Sequence, residues 1–498
     1  MSNKPLGPMI AHTTSNSLRV WYRAGKDDRG VDLTCSLLAN NLEIAHQCQI
    51  AAEVTDYITL FDISELNPDT QYQFVINKGE KVLATGIART FASSENSNCS
   101  FITGSCRHHP TVSSSILRTF SRNTGSSDDS FKTIENLISN KEIAPKFFVM
   151  SGDQVYADHH SKMIFPFGGA KTYKEYQKHY LRAYETPYFS KLASRYPFFM
   201  CMDDHEIKND WSMDFVAKTH KDHEKNRVHM QNGLKAYTLY QAALSSVIKD
   251  SSNISSELQT LNSVDPDDYA EDRKLYYQFD DGPTSFFVMD ARMERYGSVN
   301  PPQMLAPKQM EKLKEWLLLD QNRDKVKFIV SSVPLFPDTK DVKPLIPGAP
   351  DDKWAGYPEQ RFQILEFIRI NNVKKVVFIS GDVHVSLTAE LTHASDPDFR
   401  VYQIISSGFF WPTKGLGRNN FEWDNLSVKH IRIGEKNLPD LNSRGSYIPK
   451  MLSNWGDNPQ AEHQKHNFAY IETDGKSVDV QYHRSSNGER FESLELEF

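Results

Sequence analysis

Short apolar runs, each closed by a polar cluster, recur through the second fifth of the chain and again near residue 380. Phe101-Ile102-Thr103 runs into Gly104-Ser105-Cys106, and Phe147-Phe148-Val149-Met150 runs into Ser151-Gly152-Asp153-Gln154-Val155-Tyr156. Phe198-Phe199-Met200-Cys201 leads into Met202-Asp203-Asp204-His205-Glu206, and Val376-Val377-Phe378-Ile379 into Ser380-Gly381-Asp382-Val383-His384. Continuous apolar runs of this length predict strands buried on both faces. Between them, apolar residues recur at helical spacing. Phe131, Ile134, Leu137 and Ile138 share one face of a helix over 129–140, and Met310, Leu313, Trp316 and Leu317 one face of a helix over 307–319. A further helix is predicted over 357–371, before the last of these strands. The alternation predicts an α/β class, with layered sheets covered by helices.

The first ninety residues follow another rhythm. Ser17-Leu18-Arg19-Val20-Trp21-Tyr22-Arg23 alternates as a half-buried strand does, and Tyr57-Ile58-Thr59-Leu60-Phe61 is β-branched and aromatic. A Pro68-Asp69 turn enters a strand with an early Tyr72, similar to the corner of fibronectin type III domains, where that tyrosine bonds back to the turn backbone. This predicts an N-terminal β-sandwich over 1–95, bounded by the polar stretch 92–98, and a second domain over 96–498. Residues 208–275 carry little strand signal and read as a helical insertion, with 233–247 amphipathic. The loop-rich stretch 411–465, with Trp411, Trp423 and Trp455, suits a lid or a substrate wall. Residues 468–472 and 478–484 alternate like antiparallel edge strands.

Composition narrows the class. The 498 residues are 39% hydrophobic and 24% charged, with 57 Lys plus Arg against 64 Asp plus Glu, a formal net charge of −7. A mildly acidic chain has no general electrostatic reason to hold nucleic acid, and no stable nucleic-acid partner is expected. No apolar run approaches the roughly 18 residues of a membrane span. The opening residues show neither an apolar leader core nor a twin-arginine pair. Five cysteines in so long a chain make no disulfide framework. These features together predict a cytoplasmic location.

The strand-end clusters hold the candidate chemistry. Asp153 follows a glycine that lets the backbone turn, and Tyr156 is three residues on; a phenolate favours Fe³⁺ over divalent ions. Asp204 can hold a second ion, and the adjacent His205 can protonate a leaving alkoxide. Asn209 adds a possible oxygen ligand, and oxygen-rich sets suit Ca²⁺ or other divalent ions. Asp382 and His384, two apart at a strand end, face one side. Cys106 taken alone reads as a small buried hydrophobe; near a trivalent ion its thiol would deprotonate and bind. Arg107 and Arg292 are candidates for an anionic substrate, Arg292 competing with a salt bridge to Asp290 or Glu294. Two ions, a histidine and arginines suit hydrolysis of a phosphoester.

Taken in order, Gly104-Ser105-Cys106, Gly152-Asp153-Gln154-Val155-Tyr156, Asp203-Asp204-His205-Glu206, Asp290-x-Arg292 and Ser380-Gly381-Asp382-Val383-His384 resemble the PhoD-like alkaline phosphatases, metallophosphatases related in layout to purple acid phosphatases. The resemblance covers most of the chain. It implies a four-layer αββα core behind the β-sandwich, one Fe³⁺ and one or two Ca²⁺. By position, Cys106, Asp153, Tyr156 and His384 would hold iron, and Asp153 would bridge to calcium with Asp204, Asp382 and Asn209. His205 would protonate the leaving group during in-line attack of a metal-bound hydroxide on phosphomonoesters and phosphodiesters. A diesterase or phospholipase with the same two-ion site, and a non-catalytic binding protein, are the alternatives. Met202 stands where the family carries Trp, which implies an altered pocket wall. The family is typically exported, and this chain shows no such signal.

Overall fold

The computed structural model describes residues 4–40, 42–108, 126–159, 169–263, 265, 267–339, 352–411, 420–423, 426, 447–455 and 463–498. Residues 6–89 supply β1 (Leu6–Thr13), β2 (Leu18–Arg23), β3 (Asp32–Ala39), β4 (Leu42–Ile50), β5 (Ile58–Ile63), β6 (Gln71–Lys78) and β7 (Lys81–Arg89). They form a three-stranded sheet, β1-β2-β5, and a four-stranded sheet, β4-β3-β6-β7. Val20, Tyr22 and Phe61 of the first and Leu33, Leu37, Phe74 and Ile76 of the second close one core. The Tyr72 hydroxyl accepts the Asn67 N–H at 3.0 Å, the bond expected of its corner.

The strands of the remaining chain are β8 (Cys99–Gly104), β9 (Phe147–Met150), β10 (Phe198–Met200), β11 (Tyr277–Asp281), β12 (Thr284–Val288), β13 (Val326–Val330), β14 (Asp338–Thr339), β15 (Val376–Ser380), β16 (Ser386–His393), β17 (Asp396–Ser406), β18 (Phe421–Glu422), β19 (Tyr447–Met451), β20 (Asn467–Thr473), β21 (Ser477–Arg484) and β22 (Arg490–Glu497). One sheet runs β10-β9-β8-β20-β21-β22, the other β11-β12-β13-β15-β17-β16-β19. In the first, β8, β9 and β10 are parallel. In the second, β12, β13, β15 and β17 are parallel. The helices are α1 (Ser127–Ser139), α2 (Tyr173–Tyr184), α3 (Pro187–Ala193), α4 (His223–Tyr240), α5 (Ile254–Asn262), α6 (Pro307–Leu317) and α7 (Pro358–Ile370). The fold is mixed α/β.

The apolar runs are continuous because both faces of these strands are covered. On β12, Phe286 points into the space between the sheets and meets Phe101 and Phe147 at 5.3 and 5.5 Å. Its neighbour Phe287 points the other way and packs with Trp316 of α6. On the far side of the first sheet, Phe198 meets Phe189 of α3 at 5.0 Å and stacks on Phe148 at 4.2 Å. Burying each such ring contributes about 1.5–3 kcal/mol, so this aromatic packing fixes how the sheets stand relative to each other.

Two expectations are corrected. Strand β20 is not an edge strand: it lies between β8 and β21, and Phe468, Ala469, Tyr470 and Ile471 are all buried. The helix read over 233–247 starts earlier, at His223, and stops at Tyr240, followed by a single tight turn over Ala242–Leu244. It breaks at Gln241, whose side chain turns inward to donate to Glu206 at 2.9 Å. The same region carries the N-terminal sheets. The Trp21 indole donates to Leu239 O at 2.9 Å, and Arg19 to Ser245 O at 2.7 Å. Buried Asp56 accepts from Arg23, Gln177 of α2 and Tyr240 of α4. Among the described residues, no helix is long and apolar enough to cross a membrane.

Candidate active site

Parallel strands β8, β9 and β15 deliver their carboxyl ends to one place, and β10 and β12 bring their loops beside it. Two glycines let the ends of both sheets touch. Gly152 has φ +97°, and a Cβ there would lie 2.6 Å from Asp203 Cβ. A Cβ on Gly381 would lie 2.2 Å from Ser105 Oγ and 2.8 Å from Ser151 O. Cys106, Asp153, Asp210, Asp382 and His384 all take left-handed φ values, between 54° and 66°. Such conformations cost non-glycine residues free energy and gather where surroundings dictate a side chain's aim.

The result is a buried acidic cluster. Asp153, Asp204 and His205 each offer a ligand atom, and these atoms lie within 4.8 Å of one another. Asp153 Oδ2 accepts the Tyr156 hydroxyl at 3.0 Å and lies 3.5 Å from Cys106 Sγ. Arg292 answers part of the charge: Nε donates to Asp203 Oδ1 at 2.5 Å, and Nη2 lies 3.6 Å from Asp204 Oδ1. Burial, then the carboxylates of Asp203, Asp204 and Glu206, hold Asp153 well above the carboxylate range, against His205. Burial also raises Asp203 despite Arg292, and Asp382 despite Lys353. Asp153 Oδ1 and Asp203 Oδ2 are buried with no hydrogen-bond partner among the described residues. Buried, unsatisfied acids in excess of cations are a binding demand for cations.

Residues 101–427 match the model of the PhoD-like phosphatase family. The chain belongs to that family. A 263-residue stretch is 22% identical to alkaline phosphatase D of Bacillus subtilis (strain 168), covering 48% of this chain and 41% of that relative. The match therefore spans well under two thirds of the relative's length. The solved structure of PhoD is similar over 100% of this chain and 90% of its own, with a TM-score of 0.68 at 14% identity, which shows a shared fold.

Within this PhoD-like chain, the residues expected at the site fall into three groups. Cys106, Asp153, Tyr156, Asp204 and His205 come together as described. His384 and Asp382 join them from β15. The His384 ring stacks on Trp411 at 4.2 Å, and Trp411 lies 5.1 Å from Tyr156. Burial, then His205, lowers His384 to about 3, leaving a neutral imidazole with a lone pair to donate. Arg292 pairs with Asp203 and Asp204, not with Asp290 or Glu294; Asp290 instead caps the backbone N–H groups of Arg292 and Met293.

Two expectations change, those on Arg107 and Met202. Arg107 is fully buried, 3.8 Å over the Phe189 ring and donating to Ala183 O and to Thr186 Oγ1. It is a packing residue between α1 and α3 and does not face the acidic cluster. Asn209 donates its backbone N–H to Asp158 Oδ2 at 3.0 Å, a bond that does not involve its side-chain oxygen. Met202 is 1% exposed within the main core and lines no open wall.

Other residues enter to which the sequence pattern gave no role. Asp158 Oδ1 accepts a hydrogen bond from His205 Nδ1 at 2.9 Å. Burial opposes a charge on His205, but Asp158, Asp204 and Asp153 together raise it well above the ordinary range. Glu206 accepts the backbone N–H groups of Gln154 at 2.6 Å, Asp203 at 2.9 Å and Asp153 at 3.3 Å. One carboxylate thus ties the loop after β9 to the loop after β10. Asp352 and Lys353 arrive beside Arg292 and Asp382. Of these, Glu206 lay inside the Asp203-Asp204-His205-Glu206 run without a role of its own, and Asp158 lies two residues beyond Tyr156; Asp352 and Lys353 had no local clue.

Proposed function

We propose that this chain hydrolyses phosphoesters, monoesters and diesters alike, at the cluster formed by Asp153, Asp204 and His205. The observation that carries the reading is the meeting of these ligand atoms within 4.8 Å inside a buried, charge-unbalanced site of a PhoD-like chain. The donor set fits cations. Asp153 Oδ1 has no other partner among the described residues. Burial and Asp153 push both the Cys106 thiol and the Tyr156 phenol well above their ordinary range, so each becomes an anionic ligand only beside a strong positive charge.

On this reading Cys106, Asp153, Tyr156 and His384 would hold a ferric ion, and Asp153, Asp204 and Asp382 would hold one or two calcium ions or other divalent ions. Asn209 remains a candidate oxygen ligand on the calcium side. Such ions polarise a phosphoryl group and acidify water. The chain's own residues supply the rest. His205 donates its Nδ1–H to Asp158, which aims Nε2 into the cluster, where it would deliver a proton to the departing alkoxide. Arg292 holds Asp203 and Asp204 in place and offsets their charge. Glu206 keeps the two ligand loops in register.

Elemental analysis with the visible spectrum tests the metals: iron at about one per chain and a tyrosinate or thiolate charge-transfer band are expected. A colourless, iron-free, active protein would sink the ferric assignment. Rates on an aryl monoester and an aryl diester, with and without added Ca²⁺, test the substrate class. A protein inert to both would leave the binding-protein alternative standing.

A further inference from the structure

Two imidazoles that the mechanism does not use stand beside the proton donor. Asp158, His159 and His205 each offer a ligand atom, and these atoms lie within 4.8 Å of one another. Asp158 Oδ1 is the shared point, 2.9 Å from His205 Nδ1 and 3.9 Å from His159 Nε2. The second distance is too long for a hydrogen bond. It is close to the spacing of two ligands across one tetrahedral ion, about 3.3–3.6 Å for bonds of 2.0–2.2 Å. On its other side, His159 Nδ1 lies 3.3 Å from Nε2 of the fully buried His108. With the proton of that pair on His159 Nδ1, the His159 Nε2 lone pair is left for a ligand bond, and His108 fixes the ring from outside.

The backbone assembles the three residues without help from an ion. The His159 N–H donates to Tyr156 O at 3.2 Å, which closes the turn carrying Asp158 and His159. The Ala157 N–H donates to His205 O at 2.9 Å and ties that turn to the loop after β10. Asp158 Oδ2 accepts the Asn209 N–H at 3.0 Å, so Oδ1 is the oxygen that meets both imidazoles. The side chains of Asp158, His159 and His205 are 9%, 8% and 10% exposed, buried without being sealed. Two imidazole nitrogens and one carboxylate oxygen suit zinc and similar transition ions, whereas calcium takes oxygen ligands.

We propose that Asp158, His159 and His205 form a separate site for Zn²⁺ or a similar divalent transition ion, and that filling it switches the proton donor off. The ion bonds to His205 Nδ1, and the proton displaced from that nitrogen leaves to solvent. The ring that remains is a neutral, metal-bound imidazole, whose Nε2–H is a far weaker acid than imidazolium. The zinc site stands independently of the phosphoester reading; the loss of turnover rests on it.

The test titrates the protein, loaded with its own metals in Ca²⁺ buffer, with Zn²⁺. The readouts are zinc, iron and calcium per chain, calorimetric zinc affinity, and turnover of an alkyl phosphoester, whose leaving group needs a proton. One added zinc per chain is expected, with iron and calcium retained. A general acid contributes roughly 10²- to 10⁴-fold, so saturating zinc should lower kcat by about 100-fold. H159A and H159Q should turn over normally without zinc. Losing an outer partner costs roughly 10- to 100-fold in metal affinity, so losing a direct ligand should shift both zinc binding and inhibition by at least about 100-fold. No added zinc, zinc that replaces iron or calcium, or unchanged zinc affinity in both variants would overturn the site. Zinc bound through His159 with alkyl ester turnover unchanged would overturn the switch. If zinc binds through His159 and no phosphoester is hydrolysed at all, the activity reading fails and the site stands.

Discussion

Two buried carboxylates, Asp56 and Asp153, do opposite work. Asp56 is 5% exposed, and its oxygens accept Arg23 Nε at 3.1 Å, Arg23 Nη2 at 3.2 Å, Gln177 Nε2 at 2.5 Å and the Tyr240 hydroxyl at 2.5 Å. One cation and two neutral donors complete it, and it joins the N-terminal sheets to α2 and α4. Asp153 is 2% exposed, has Oδ1 unpartnered among the described residues, and is surrounded by further acids. A satisfied buried charge holds a structure together; an unsatisfied one implies a ligand. Both sites strain the backbone in the same way, with φ 54° at Asp56 and 57° at Asp153. Strain alone therefore does not separate function from scaffolding. The balance of partners does.

The largest expected effect is on Asp153. D153N should lower turnover by at least about 10³-fold and release metal, while the melting temperature of the metal-free protein should hold or rise, because one of several crowded charges is gone. A fall in that melting temperature would break the contrast with Asp56. Next, D56A should cost about 3–5 kcal/mol in denaturant unfolding by leaving Arg23 buried and unpaired, with kcat of the folded fraction little changed. If turnover fell with stability held, Asp56 would belong to the site after all.

Glu206 lies between these cases, being both well partnered and within the site. E206Q replaces an acceptor oxygen with a donor facing backbone N–H groups, so kcat should fall by roughly 10- to 100-fold while the protein still folds. Equal losses in E206Q and in D153N would mean that Glu206 does more than hold loops. The smallest effect is electrostatic. His12 has Nδ1 buried without a hydrogen-bond partner, and burial, then Arg19, lowers it from 6.5 to about 4. The unfolded chain takes up this proton below about pH 6.5 and the folded one only near 4, so its contribution is full above 6.5 and is lost as pH falls between these values. Between pH 7 and 5 this should cost about 1–2 kcal/mol, and H12Q should flatten that part of the stability profile.

The strand ends were readable because burial on both faces writes an uninterrupted apolar run, and the residue after the run must then turn into the cleft. That reasoning placed Cys106, Asp153, Tyr156, Asp204, His205, Asp382 and His384. It misplaced Arg107, whose partners Phe131 and Phe189 lie far along the chain. It misread β20 as an edge because five residues do not reveal which strands flank them. It passed over Gln241, Asp352 and Lys353, since each sits in a turn or loop with no periodicity of its own.

By itself, the sequence determined the α/β class, the β-rich first ninety residues and the strand-end residues that could carry chemistry, because periodicity and chain turns are local. Only the tertiary structure decided which charges are satisfied. Whether an acid has a partner depends on residues as distant as Asp56 and Tyr240, or Asp203 and Arg292, and that balance separates the scaffold carboxylate from the candidate ligand.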